Sequence, residues 1–210
     1  PISISTLLTI VYWSVTTALI LRLIIHVIST HRIIRKGTLK SRQFPLVVET
    51  GSDIPPFSFF PYVVIPSKVS DNGDYSDLLE HEFAHLRQGH TFDLILCELI
   101  IAFQWFNPVT WFLKKSVVLN NEYLADQASI RITGNKKSYQ YRLLDFQSEM
   151  KSLSLAHNFN ISIRERLNMI NKMPTPRSAT LKNILIIPVF AGIIVACATK
   201  TNSKTIIYNP

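Results

Sequence analysis

Ser76-Asp77-Leu78-Leu79-Glu80-His81-Glu82-Phe83-Ala84-His85-Leu86-Arg87-Gln88-Gly89 is the stretch on which the reading of this chain turns. Ser76 or Asp77 can cap a helix running from Leu78 to about Gly89. Inside it, His81-Glu82-Phe83-Ala84-His85 is an H-E-x-x-H pattern. Residues i and i+4 stand one turn apart on one helix face, so both imidazoles can reach a single Zn2+ at about 2.0–2.1 Å. Glu82 then flanks the metal and can take a proton from metal-activated water, the way such sites attack an amide at neutral pH. Residue frequencies give a chance match in roughly one random chain of this length in a hundred. The bland alternative is a solvated helix.

A catalytic zinc site needs a third protein ligand and an open position. His90 follows His85 by five residues and does not continue the i, i+4 series. A metzincin pattern wants Gly at 88 and His at 91, where this chain has Gln88 and Thr91. Farther on, Asn121-Glu122-Tyr123-Leu124-Ala125-Asp126 places Glu122 and Asp126 one turn apart on one face. Glu122 is the expected third ligand, and Asp126 is expected to orient a ligand histidine through its second ring nitrogen. A solvated helix face is the alternative for this pair. Asp93 and Glu98 read as supporting or surface groups.

Outward from these motifs the chain is apolar. It has 210 residues, 47% hydrophobic and 17% charged, with a mean hydropathy of +0.19, which disfavours an ordinary soluble enzyme and a disordered chain alike. Residues 2–21 carry no charge, the length a helix needs to cross the hydrocarbon core. The following His31–Arg42 stretch has five Lys or Arg and no acid, placing that side in the cytoplasm by the positive-inside bias. A second uncharged run, 183–199, is preceded by Arg164, Arg166, Lys172, Arg177 and Lys182. The expected organisation is a transmembrane helix at 1–29, a cytoplasmic domain with a basic linker at 30–182, a second span at 183–199 and an external tail at 200–210. The net charge of +8 sits beside apolar runs without interleaved aromatics, so direct nucleic-acid binding is not expected. Cys97 and Cys197 both lie in apolar runs, which rules out a disulfide scaffold or a cysteine-rich zinc module. A start at Pro1, with no basic region before the first apolar run, reads as a piece of a longer protein.

A third apolar stretch, Leu94–Leu113, separates the histidines from Glu122. One crossing there would set His85 and Glu122 about 30 Å apart, on opposite faces of the membrane. Glu98 and the break at Phe106-Asn107-Pro108 suit two shorter helices instead, in the domain core or dipping into the membrane surface. Phe44–Val48 and Tyr62–Ile65 read as short strands. Helices are expected from Pro108 to Ile130, ended by Gly134-Asn135, from Ser138 to about Leu155, and over Ile163–Ile170. The fold class is mainly α with a small β element.

The order of an apolar helix, a basic loop, H-E-F-A-H-L-R-Q-G-H-T-F-D at 81–93, W-F-N-P-V-T-W at 105–111, N-E-Y-L-A-D at 121–126 and a closing apolar run resembles the integral-membrane metallopeptidases of the BlaR/MecR antirepressor-sensor type. The resemblance implies a gluzincin-like zinc domain, with His81, His85 and Glu122 as ligands and Glu82 as general base. It also implies a multi-pass protein of the cytoplasmic membrane that transduces an external signal by proteolysis, through self-cleavage and loss of a transcriptional repressor. The expected cofactor is Zn2+. The expected partners are membrane lipid, a protein substrate (itself or a repressor) and a second copy in a homodimer. The tethered segment Lys151–Lys182 reads either as the self-cleavage region or as a basic stretch that only anchors the chain to the membrane. The rival is a non-catalytic signalling or scaffold module with a degenerate metal site.

Overall fold

The computed structural model describes residues 3–51, 54–67, 76–150 and 157–172. Helix α1 (Ile4–Lys36) begins at Ser3, whose hydroxyl accepts the Thr6 N–H, and holds 33 residues, about 50 Å of helix. It is long and apolar enough to cross a membrane, and little of its apolar stretch is covered by the rest of the chain. The helix does not stop at 29. It continues through the basic segment to Lys36, because Ile34 in its last turns is buried against the sheet.

Four strands follow: β1 (Thr38–Ser41), β2 (Leu46–Thr50), β3 (Phe57–Phe59) and β4 (Tyr62–Pro66), in the order β1-β2-β4-β3. The pairs β1–β2 and β3–β4 are antiparallel, and β2–β4 is parallel with Val48 opposite Val64. The two expected strands correspond to β2 and β4. Unexpected were β1, an exposed, Lys40-bearing edge inside the basic segment, and the three-residue β3. Alternate side chains of β4 point to opposite faces. Val64 joins Val48 and Ile34 under α1, whereas Val63 and Ile65 pack with Leu86, Leu79 and Phe83 of the next helix.

That helix, α2 (Ser76–Arg87), lies against the sheet and leads through Gly89, at φ 72°, into α3 (His90–Phe103). The left-handed backbone at Gly89 turns the chain sharply enough to bring His90 back beside His85. The apolar stretch breaks at Gln104–Asn107, as expected. Asn107 caps α4 (Pro108–Thr133) by accepting the Val109 N–H, Pro108 occupies its first position, and Gly134 ends it at φ 68°. Helices α5 (Lys136–Met150) and α6 (His157–Asn171) pack on α4. The expected second span at 183–199 lies outside the described residues.

Candidate metal centre

Helices α2 and α4 pack against each other, and His81, His85 and Glu122 converge where they meet. The Nε2 atoms of His81 and His85 are 3.1 Å apart; Glu122 Oε2 is 3.5 Å from the first and Oε1 is 3.7 Å from the second. Tetrahedral ligation with bonds of about 2.0–2.1 Å sets neighbouring ligand atoms about 3.3 Å apart. The three separations bracket that value, so the donor set fits one zinc ion.

The hydrogen-bond network supports the same reading. Tyr139 donates its hydroxyl proton to Asp126 Oδ1 at 2.7 Å and so accepts from His81 Nδ1 at 3.0 Å, which leaves Nε2 as the nitrogen turned toward His85 and Glu122. His85 Nδ1 lies 2.6 Å from Nδ1 of the buried His90. With the proton on His85 Nδ1, its Nε2 also presents a lone pair. Two ring nitrogens and a carboxylate then face one another, and a cation between them would join all three.

The electrostatics prepare the ligands. Burial, reinforced by neighbouring His81, pulls His85 down to about 3, so its ring is neutral at physiological pH. Burial alone would push Glu122 up, but contact with His81 and the Arg166 guanidinium overcome it and hold the carboxyl at about 2. Glu82, adjacent to His81 and 8% exposed, goes the other way: burial raises it, against the opposing pull of His81 and the Ser58 hydroxyl. A carboxylate raised toward neutrality exchanges protons more readily near pH 7 than an ordinary one does.

Asp126 is placed differently from expectation. Its Oδ1 stands 3.4 Å from His81 Nδ1, and the Tyr139 hydroxyl carries the hydrogen bonds linking the two. Arg166 on α6, read from sequence as one of a row of basic linker residues, also reaches the centre. Its Nε donates to Asp126 Oδ2 at 2.9 Å, Nη2 to Asp126 Oδ1, and Nη1 lies 2.8 Å from Glu122 Oε2. One planar guanidinium therefore fixes Glu122 and its neighbouring acid together. His90 is no ligand in this group; it buttresses His85. Neither Tyr139 nor Arg166 stands at a diagnostic spacing from the motifs. Asp93 faces Asn121, and Glu98 pairs with Arg22 and Lys114, away from the metal ligands.

Two histidines one turn apart on one helix, completed by a carboxylate from a second, are the ligand arrangement of the metallopeptidase class. Within that class the chain belongs to the BlaR1 peptidase M56 family, whose model matches residues 46–170. Peptidases of this family are zinc-dependent metallopeptidases. The chain is similar to the regulatory protein BlaR1 of Bacillus licheniformis, 26% identical over 148 residues, which is 65% of this chain and 24% of that protein. It spans about a quarter of that relative's length.

Proposed function

We propose that the chain is a membrane-embedded zinc endopeptidase in which His81, His85 and Glu122 hold the metal and Glu82 is the general base. The observation that carries this is the convergence of two histidine Nε2 atoms and one carboxylate at ligand separations, with a buried, raised carboxyl next in sequence to one of them. Zinc, when bound, supplies Lewis-acid polarisation of the scissile carbonyl and acidifies water. Glu82 takes the proton from the attacking water and passes it to the leaving amine. Arg166 and Tyr139 hold Glu122 and His81 in register while this happens. Strand β3, at the end of the sheet, carries Ser58 beside Glu82, and its outer edge, paired with no strand among the described residues, suits an extended peptide that pairs with it as a further strand.

The finer reading follows the family resemblance. The catalytic domain is cytoplasmic in a multi-pass protein, a signal from outside activates it, and cleavage within Lys151–Lys182 together with loss of a repressor is the output. The seat of α6 against the metal ligands through Arg166 supports it, since it tethers part of that segment close to the active centre. The intact ligand geometry favours the enzyme over the scaffold with a degenerate site. Zinc analysis of the purified chain tests the metal reading: one zinc per chain, lost in His81→Ala, is expected. A chain with no zinc, or one whose zinc survives His81→Ala, overturns it.

A further inference from the structure

The polypeptide between the two halves of the metal centre forms a helical hairpin of unusual chemistry. Its outward side chains are large and apolar, with Phe106 63%, Val109 66% and Phe112 70% exposed. Four carbonyls of its turn, by contrast, have partners within the protein. The Phe103 carbonyl accepts from the Tyr12 hydroxyl of α1 at 3.0 Å, and Gln104 O accepts from Asn107 N at 2.9 Å. Trp105 O accepts from Trp111 Nε1 at 3.1 Å, and Asn107 O from the Thr110 hydroxyl at 2.8 Å. The Gln104 and Asn107 side chains bond each other as well. A turn bathed in water needs none of this, because water satisfies carbonyls and disfavours exposed Phe; a turn in hydrocarbon needs all of it.

We infer that the α3–α4 hairpin is re-entrant, inserting its Phe103–Phe112 tip into the same lipid leaflet that α1 crosses, with lipid acyl chains covering its apolar face. This rests on the reading of α1 as a membrane span. Two contacts fix the depth. Glu98 of α3 is paired with both Arg22, 3.1 Å away, and Lys114 of α4, so the charged residues of three helices meet at one level, where the uncharged run of α1 ends. The tip meets α1 at Tyr12, ten residues or about 15 Å of helix farther along, half of a hydrocarbon core about 30 Å thick. Above the charged level, His90 on α3 and Glu122 on α4 are each eight residues, about 12 Å, away. The hairpin thereby holds the metal centre just outside the headgroups, and the bond it cuts belongs to a protein segment lying along the membrane surface.

Nitroxide accessibility of the full chain in phosphatidylcholine nanodiscs tests this. Cys97 and Cys197 are replaced by alanine, and single labels are placed by Phe106→Cys, Phe112→Cys, Val11→Cys in α1 and Tyr141→Cys on exposed α5; circular dichroism and a single gel-filtration peak check the fold of each. The labels at 106 and 112 are expected to match position 11, open to oxygen and closed to the water-soluble nickel chelate, while 141 is open to nickel. Nickel access at 106 and 112 with position 11 still closed overturns the hairpin and leaves α1 in the membrane. Nickel access at 11 as well overturns the membrane reading itself. Labels at 106 and 112 closed to both reagents put protein, such as a second copy, on this face and overturn lipid contact.

Discussion

Glu82 is a buried carboxyl and Glu122 a half-buried one at the same candidate metal centre, yet their surroundings drive them in opposite directions, and substitutions should separate their roles. Glu82→Gln keeps the size and the burial but cannot accept a proton; it should retain zinc and lose turnover by about 10²–10⁴-fold. Peptide hydrolysis and zinc content measured on one preparation check this. Glu122→Ala should abolish tight zinc binding, whereas Asp126→Ala and Arg166→Ala, acting through neighbours, should weaken it about 10–100-fold. Competition with a zinc chelator ranks the three, and tight binding by Glu122→Ala would show that the third ligand lies elsewhere. Arg166→Lys should rescue Arg166→Ala only in part, because an ammonium cannot span two carboxylates as a planar fork does. Acid should destabilise the metal-free protein. His85 titrates near 3 when folded against 6.5 ordinarily, so between those values the unfolded chain holds a proton that the folded one lacks, and stability falls as pH drops through that window. Glu122, held at about 2 against 4.5, adds a loss of the same sign below about 4.5. Thermal unfolding in a chelator at pH 7, 5.5 and 4.5 should show a falling midpoint; a flat one contradicts these environments.

At the scale of elements, the centre depends on packing that places α2 and α4 correctly. The sheet is braced from one side by the end of α1, and Gly37 is where the two come closest. An added Cβ there would stand 2.3 Å from Val48 Cγ1 and 2.7 Å from the Glu49 carbonyl oxygen. The backbone at Gly37 is ordinary (φ −80°), so closeness rather than conformation demands glycine. Gly37→Ala should therefore cost about 1–3 kcal/mol by overpacking, seen as a lowered unfolding midpoint, and an unchanged midpoint would show that α1 and β2 yield freely. What the sequence made legible at this scale followed from local rules. The i, i+4 histidines, the Glu122–Asp126 face, the Asn107-Pro108 start and the Gly134 stop of α4 are each written within a few residues. Strand β1 was hidden because Thr38-Leu39-Lys40-Ser41 is polar, exposed and continuous with a basic segment, and β3 because three residues carry no period. Tyr139 and Arg166 were hidden for another reason: they meet Asp126 from 13 and 40 residues away, and only the packing of α5 and α6 on α4 brings them there.

For the whole molecule, the apolar balance that set this chain apart from soluble enzymes has a structural location. Most of the exposed large apolar side chains of the described residues lie on α1 and the α3–α4 hairpin, while the sheet and α2 share a buried core. The candidate metal centre joins these two parts, since α4 carries Glu122 at one end and the apolar tip at the other. Removal of the metal should leave His81, His85 and the Arg166-paired Glu122 without the cation that joins them at the junction of α2 and α4. Zinc should accordingly raise the unfolding midpoint in proportion to the logarithm of its free concentration above its dissociation constant. The central claim, that these residues form a zinc endopeptidase, is tested most directly by incubating the zinc-loaded full chain in lipid and mapping cut peptide bonds by mass spectrometry, with zinc-loaded Glu82→Gln alongside. One zinc per chain is expected in both, with cuts only by the parent, in an added protein substrate or within Lys151–Lys182. Equal cutting by both proteins, or none by a parent chain that holds its zinc under activating conditions, would contradict it.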